Sequence, residues 1–332
     1  MTKRGWGVVF AVVQATLLFA CTDGTIDTGS DLPRGLLPVD ARNPVVLVND
    51  AAHDNWSGEY ALLLANSGGP PLAGIVVNTS TYWPDLASNV SAWNQLIGAA
   101  RESGLTNIPD VTASSGNPLI RPADGAIEST IPNSSAGAKL ILEVSSRLSR
   151  PWRPVVVVVG GRLTEIADAY LMDPSIVDRV VVVASLGHGT GAGGSMGAPN
   201  GELDPWADWI VGQRFRYVQV SAYYDQTSDV TAAQVANLPT NALGTWMANK
   251  RPGLWQSEIA SDQIAILAIG MPTFATAVQR LAVSDAVAPA GTQSPNLEAR
   301  ADGPIWLVSS CASGVAAERL WRMLLDPHTF GR

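Results

Sequence analysis

A chain of 332 residues with 46% hydrophobic content can bury one large α/β core or two smaller ones. Its formal net charge of −8, with no basic cluster, argues against a nucleic-acid partner, which needs Lys and Arg massed on one face. Two cysteines, Cys21 and Cys311, exclude a disulfide-stapled scaffold and leave stability to the core.

The opening segment has the pattern of a targeting signal. Lys3 and Arg4 supply positive charge, and Gly5 to Ala20 is apolar but short for a membrane span. Leu-Leu-Phe-Ala-Cys then places Cys21 where bacterial lipoprotein signals carry the lipidated residue. The expectation is a signal over 1–20, lipidation of Cys21, and export to the periplasm or cell exterior on a lipid anchor. A plain secretory signal is the runner-up and a membrane-spanning helix comes third. If Cys21 is acylated, no second cysteine remains for Cys311, whose apolar run (Ile305-Trp-Leu-Val-Ser-Ser-Cys) reads as a strand with a buried, inert thiol. Residues 21–43, rich in Asp, Gly, Thr and Pro, read as a tether to a domain spanning 44–332.

Within that domain, strands and helices alternate. Val45 to Asn49 is an aliphatic run of the kind that a central parallel strand, covered on both faces, requires. A helix over 57–66, a strand over 72–78, a helix over 85–103 and a loop-rich stretch to Pro132 follow. A helix over 135–149 leads into Pro154 to Val159, the clearest buried strand, then a helix over 163–172 and a strand over 180–185. Gly187 to Gly201 contains seven glycines and superficially resembles a dinucleotide fingerprint. Pro199 and Asn200 end that run before any helix, so a phosphate would lack a helix N-terminus, and a mobile loop at the mouth of a site is the preferred reading. A strand over 217–222, helices over 232–249 and 257–267, a connector over 285–303 and a strand–helix pair (305–309, 315–325) close the chain. This alternation predicts an α/β fold with a mostly parallel open sheet, helices on both faces and a Rossmann-like core.

The first strand ends in a polar cluster, Asp50, His53, Asp54 and Asn55. Ligands of open α/β sheets bind beyond the carboxyl ends of strands, so two carboxylates there point to chemistry. An ordinary strand-to-helix loop with Asp as helix N-cap is the structural alternative. Trp83, Trp206 and Trp209 are candidates for the wall of a base pocket.

Four segments, taken in order, resemble the calcium-dependent nucleoside hydrolases, the inosine–uridine nucleoside N-ribohydrolase family. Val48-Asn49-Asp50-Ala51-Ala52-His53-Asp54-Asn55 stands for Asp-x-Asp-Pro-Gly-x-Asp-Asp, with Asp50 and Asp54 matching and Val48 and Asn55 departing. Gly161-Arg162-Leu163-Thr164-Glu165 stands for Gly-Pro-Leu-Thr-Asn, and Asp173-Pro174 follows as that family's helix closing does. Glu202-Leu203-Asp204-Pro205-Trp206-Ala207-Asp208 is similar to Glu-Phe-Asn-x-x-x-Asp, and Ser261-Asp262-Gln263-Ile264-Ala265 to His-Asp-x-x-Ala.

The resemblance implies a nucleoside hydrolase-like fold and a calcium ion held by Asp50, the Asn55 position, the Thr164 carbonyl and Asp262. Such an ion wants six to eight hard oxygens and binds the two ribose hydroxyls and a water that attacks the anomeric carbon. Asp50 is then the base, Asp54 a ribose-hydroxyl partner, and Glu202 and Asp204 sugar contacts; from the tryptophan candidates named above, Trp83 and Trp206 are the expected base contacts. Asn55 lowers the formal ligand charge from three negatives to two, with Asp204 in a family Asn position as a compensating charge. Ser261 vacates a histidine position that eases departure of the base. The implied function is hydrolysis of the N-glycosidic bond of a ribonucleoside or related N-ribosyl compound. The alternative is a non-catalytic sugar- or nucleoside-binding lipoprotein with a degraded metal site. Either reading implies a small-molecule partner and membrane contact through the lipid alone, and leaves a homo-oligomer open.

Overall fold

The computed structural model describes residues 35–52, 57–185, 199–220, 232–249, 262–271, 273–289, 295–312 and 315–326. Cys21, His53, Asp54, Asn55, the glycine loop through residue 198, His188, Ser261 and His328 fall outside the described residues.

The expected alternation is present. It runs β1 (Val45–Asn49), α1 (Ser57–Asn66), β2 (Leu72–Val77), α2 (Leu86–Glu102), β3 (Val111–Ala113), α3 (Ala136–Leu148), β4 (Val155–Val159), α4 (Thr164–Met172) and β5 (Val180–Ser185). The second half continues with α5 (Pro199–Glu202), α6 (Pro205–Arg214), β6 (Arg216–Val220), α7 (Ala232–Val235), α8 (Ala242–Asn249) and α9 (Asp262–Gly270). Strands β7 (Ala275–Val283), β8 (Leu297–Ala299) and β9 (Ile305–Cys311) and helix α10 (Val315–Leu324) complete it.

Among the described residues the strands form one nine-stranded sheet, ordered β3-β2-β1-β4-β5-β6-β9-β7-β8. Every pairing from β3 through β9 is parallel; β7 pairs antiparallel with both β9 and β8. Alternate residues of β1 and β4 face opposite layers, and both layers are closed. Leu47, Val156 and Val158 pack with Leu62 of α1, Trp93 of α2, Leu243 of α8 and Ile266 of α9. Val46, Val48 and Val157 pack with Ile141 of α3, Ile166 of α4 and Ile210 of α6. Two covered faces are why these strands read as unbroken aliphatic runs. The end of the tether joins this core: Leu37 and Val39 are buried, and Asn43 Nδ2 donates to the Pro154 carbonyl at 2.8 Å.

Several expectations need correcting. Strand β3 lies inside the stretch read as loop, and β8 inside the connector; each is three residues long, too short for periodicity to register. Strand β7 was not expected, because Ala-Thr-Ala-Val-Gln-Arg-Leu-Ala-Val lacks a β-branched run. The helix expected over 232–249 is two helices. Pro239 lies between them, and its missing N–H does not support a continuous helix. Helix α5 begins at Pro199, where no helix was expected, though at four residues it is a single turn. Helix α6 also escaped the sequence reading; Asp204 caps it and Pro205 takes its first position, where a proline costs no hydrogen bond. Cys311, expected to be buried, is half-buried at the end of β9. No helix among the described residues is long and apolar enough to cross a membrane.

Candidate functional site at the switch point of the sheet

From β1 the chain first builds outward through β2 and β3, then returns with β4 on the other side of β1. This reversal opens a crevice at the carboxyl ends of β1 and β4, the place where open α/β sheets bind ligands. Backbone bonds hold those ends in register. Asn78 N–H donates to the Asn49 carbonyl at 3.0 Å, Gly160 N–H to Val48 at 2.9 Å and Ser114 N–H to Val77 at 2.8 Å.

Asp50 emerges from β1 buried, one carboxylate oxygen accepting the Ala51 N–H at 2.7 Å. Gly161 faces it. A Cβ there would lie 3.4 Å from Asn78 Oδ1, 3.6 Å from the Asp50 nitrogen and 3.9 Å from Asp50 Cβ. The ends of β1, β2 and β4 therefore meet at a residue without a side chain. Asn78 Nδ2 reaches across to Glu165 Oε2 at 2.8 Å. Glu165 in turn is wedged beneath α3: a Cβ on Gly137 would sit 2.7 Å from Glu165 Cγ and 2.6 Å from Val76 Cγ1.

Asn78 Oδ1 and Arg162 Nε, both in this crevice, are buried without a hydrogen-bond partner. An orphaned polar atom costs about 1–3 kcal/mol, so a pair of them at a switch point marks a place built for something other than packing.

Charges are also gathered here. Arg162 Nη1 donates to the Gly116 carbonyl, and the Arg162 side chain is buried. Burial lowers its affinity for the proton, opposed by the charges of Asp204, Glu165 and Asp50. Burial pushes the Glu165 carboxyl above its ordinary range, against hydrogen bonds from Asn78 and Ser114. Burial likewise raises Asp204, against hydrogen bonds from Thr164, Leu119 and Ala207 and the charge of Arg162.

The expected site residues divide into groups. Asp50, Thr164 and Asp204 are brought to one region. Thr164 opens α4 and its hydroxyl donates to Asp204 Oδ2 at 2.6 Å; the Leu119 amide reaches the same oxygen at 2.9 Å and the Ala207 amide reaches Oδ1 at 3.1 Å. Trp206 lies beside Asp204, buried, its indole N–H on Thr130 Oγ1 at 3.0 Å and the Arg121 guanidinium 5.3 Å from its ring. Asp204 and Trp206, with Leu119, Arg121 and Pro289, line a cavity of about 270 Å³. Trp209 is buried in α6. Trp83 is half-buried in the loop after β2, where its carbonyl accepts from Asn89 Nδ2 at 3.0 Å. Glu202 ends α5 exposed to solvent. Asp262 is the first residue of α9, its side chain outside the described part; Asp54 and Asn55 lie there too.

Asn78 and Ser114 were missed. Each follows a strand end as Asp50 does, so the rule that singled out Asp50 would have found Asn78 had it been applied to the second strand. Arg162 and Glu165 were noted as motif positions only, and nothing in local sequence says that they meet Asn78 and Asp50.

Comparison with solved structures places this arrangement in a known fold. The chain is similar to an inosine-uridine preferring nucleoside hydrolase from Bacillus anthracis (TM-score 0.57, 16% identity, covering 85% of this chain and 99% of that one). It is similar to an inosine-guanosine nucleoside hydrolase (TM-score 0.58, 14% identity, 87% and 100% covered) and to a plant nucleoside hydrolase (TM-score 0.56, 14% identity, 87% and 100% covered). No family model and no curated protein sequence matches the chain. The fold is thus nucleoside hydrolase-like: α/β, with a mostly parallel sheet of mixed direction at one edge.

Proposed function

We propose that the chain hydrolyses the N-glycosidic bond of a ribonucleoside or related N-ribosyl compound in the crevice between β1 and β4. One observation supports this most directly: in a nucleoside hydrolase-like fold, a buried carboxylate, Asp50, occupies the carboxyl end of the strand at the switch point. In this reading Asp50 accepts the proton of the attacking water, while the crevice carboxylates stabilise positive charge developing on the sugar. Asp54 binds a ribose hydroxyl, Glu202 and Asp204 contact the sugar, and Trp83 and Trp206 contact the base.

Among the described residues no three His, Cys, Asp or Glu side chains gather closely enough to hold a metal ion. The oxygens present nonetheless suit calcium in kind: the Asp50 carboxylate and the unpaired Asn78 Oδ1 are hard donors, and Gly161 leaves space beside both. Asp50, Asn55, the Thr164 carbonyl and Asp262 would hold the ion, which when bound orients the sugar hydroxyls and makes water a better nucleophile. The same reading places Cys21 under lipid and the domain outside the cell membrane.

Asp204 favours a second reading. Its carboxylate already accepts three hydrogen bonds from within the fold and caps α6, so it is built in as structure. That suits a non-catalytic sugar- or nucleoside-binding protein.

The deciding experiment follows base release from inosine and uridine with added calcium, using wild-type protein and Asp50→Ala. Release that falls at least about 100-fold in the variant supports hydrolysis. Saturable nucleoside binding without release establishes the binding reading instead.

A further inference from the structure

The segment Gly161–Glu165 departs from the resembling family at its second and fifth positions, and both departures carry charge into the crevice. Arg162 replaces a neutral proline and Glu165 a neutral asparagine. Arg162 is about nine-tenths buried, at 9% exposure, and is anchored by its bond to the Gly116 carbonyl. Gly116 is held in the left-handed region, at φ +59, in a turn that closes tightly over Asn78; a Cβ there would come within 3.0 Å of both Asn78 Cβ and the Thr79 nitrogen. The guanidinium is therefore fixed to the wall of the crevice. Its neighbours in sequence touch the acids: Gly161 packs on Asp50, Thr164 bonds Asp204, and Glu165 lies across from Asn78.

A guanidinium does not lose its proton in a protein, so this is a permanent positive charge. Buried carboxylates need a nearby cation, and the charges of Asp204, Glu165 and Asp50 all act on this one. We propose that Arg162 is the resident cation of the crevice: it balances Asp50, Glu165 and Asp204 and holds the affinity for calcium down. Two departures then act in the same direction. Asn55 removes a negative charge from the expected ligand set, and Arg162 adds a positive one to the crevice. A divalent ion entering the crevice meets a fixed like charge in a poorly screened setting, where Coulomb repulsion is far stronger than in water. The inference rests on the crevice being the binding site of the proposed function, but not on catalysis.

The test is calcium calorimetry on the full chain, with wild type, Arg162→Gln and the double variant Asp50→Asn/Arg162→Gln. Wild type should bind no more tightly than about 1 mM, the weak end of natural calcium sites. Arg162→Gln should bind at least about tenfold more tightly, and the double variant should lose that gain. Equal affinity in wild type and Arg162→Gln, including no binding by either, overturns the proposal. Tight binding by wild type, at about 1 μM or below, overturns it even if Arg162→Gln fails to fold. The nucleoside assay separates the two ideas: a calcium gain in Arg162→Gln with no base release from either protein leaves the resident cation standing and ends the hydrolase reading.

Discussion

Strand β4 buries all five of its side chains, whereas β7 leaves Thr276, Ala277 and Gln279 exposed. The difference follows from position in the sheet. Helices cover both faces of β4, so nothing polar is tolerated along it, and the polar residues of the crevice come after its carboxyl end, from Gly160 to Glu165. Near the antiparallel edge, β7 buries only Ala275, Leu281 and Ala282 and leaves its middle partly open. A strand without polar side chains cannot carry chemistry itself, but it fixes the loop that follows. That is why the charged crevice sits at the end of β4 and no comparable cluster is found beside β7 among the described residues.

Moving one charge between the two strands tests this directly. Val157→Asp places an unpaired carboxylate where Val157 is wholly buried, and should destabilise the fold by more than about 4 kcal/mol. Thr276→Asp, at an exposed position of β7 where it gives up one hydrogen bond to Ser310, should change stability by less than about 1.5 kcal/mol. Urea unfolding midpoints report both. Similar midpoints for the two variants would break the distinction between covered centre and open edge.

The two ends of α4 sharpen the comparison at the level of single acids. Asp173, at its C-terminal end, is held below its ordinary range by hydrogen bonds from Ser175 and Arg179. It adds stability above the ordinary aspartate value, which is lost as pH falls through its folded value. Glu165, near the N-terminal end, is shifted the other way by burial. Its favourable contribution is complete below the ordinary glutamate value of 4.5 and is lost as pH rises through its folded value. Glu165→Gln removes that titration while keeping an oxygen for Asn78. The variant should therefore be more stable than wild type at neutral pH, by about 1–3 kcal/mol, with the gap closing as pH approaches 4.5. Midpoints measured across that range check it; a constant gap would mean that Glu165 does not titrate with folding.

How much of this was legible beforehand also depends on where each residue lies. Strands β1, β4 and β5 were readable because two covered faces demand aliphatic runs, and α1 because it spans three turns between clear boundaries. Strand β7 was not, because a partly exposed strand of Ala, Thr and Gln carries little hydrophobic signal. Within the site, Asp50 stood out as a carboxylate ending an aliphatic run. The Asn78–Glu165 bond could not be read, since residues 87 apart in sequence meet only through the parallel register of β2, β1 and β4. Helix α6 stayed hidden for a related reason: its cap, Asp204, also serves Thr164 and Leu119, and was read as a sugar contact.

The last contrast concerns glycines on the two faces of the sheet, and its expected effect is the smallest. Gly137 in α3 has no room for a methyl group, because Val76 and Glu165 crowd it from the site side. Gly98 in α2 is exposed and has nothing within 4 Å of a Cβ, so close approach explains the first glycine and leaves the second unexplained. A glycine inside a helix costs conformational entropy that alanine avoids. Gly98→Ala should therefore stabilise the protein by about 0.4–1 kcal/mol, a rise in Tm of about 0.5–1.5 °C. A fall in Tm would show that the exposed face of α2 meets something, and would make that face, with no charge cluster of its own, the next place to look for a contact.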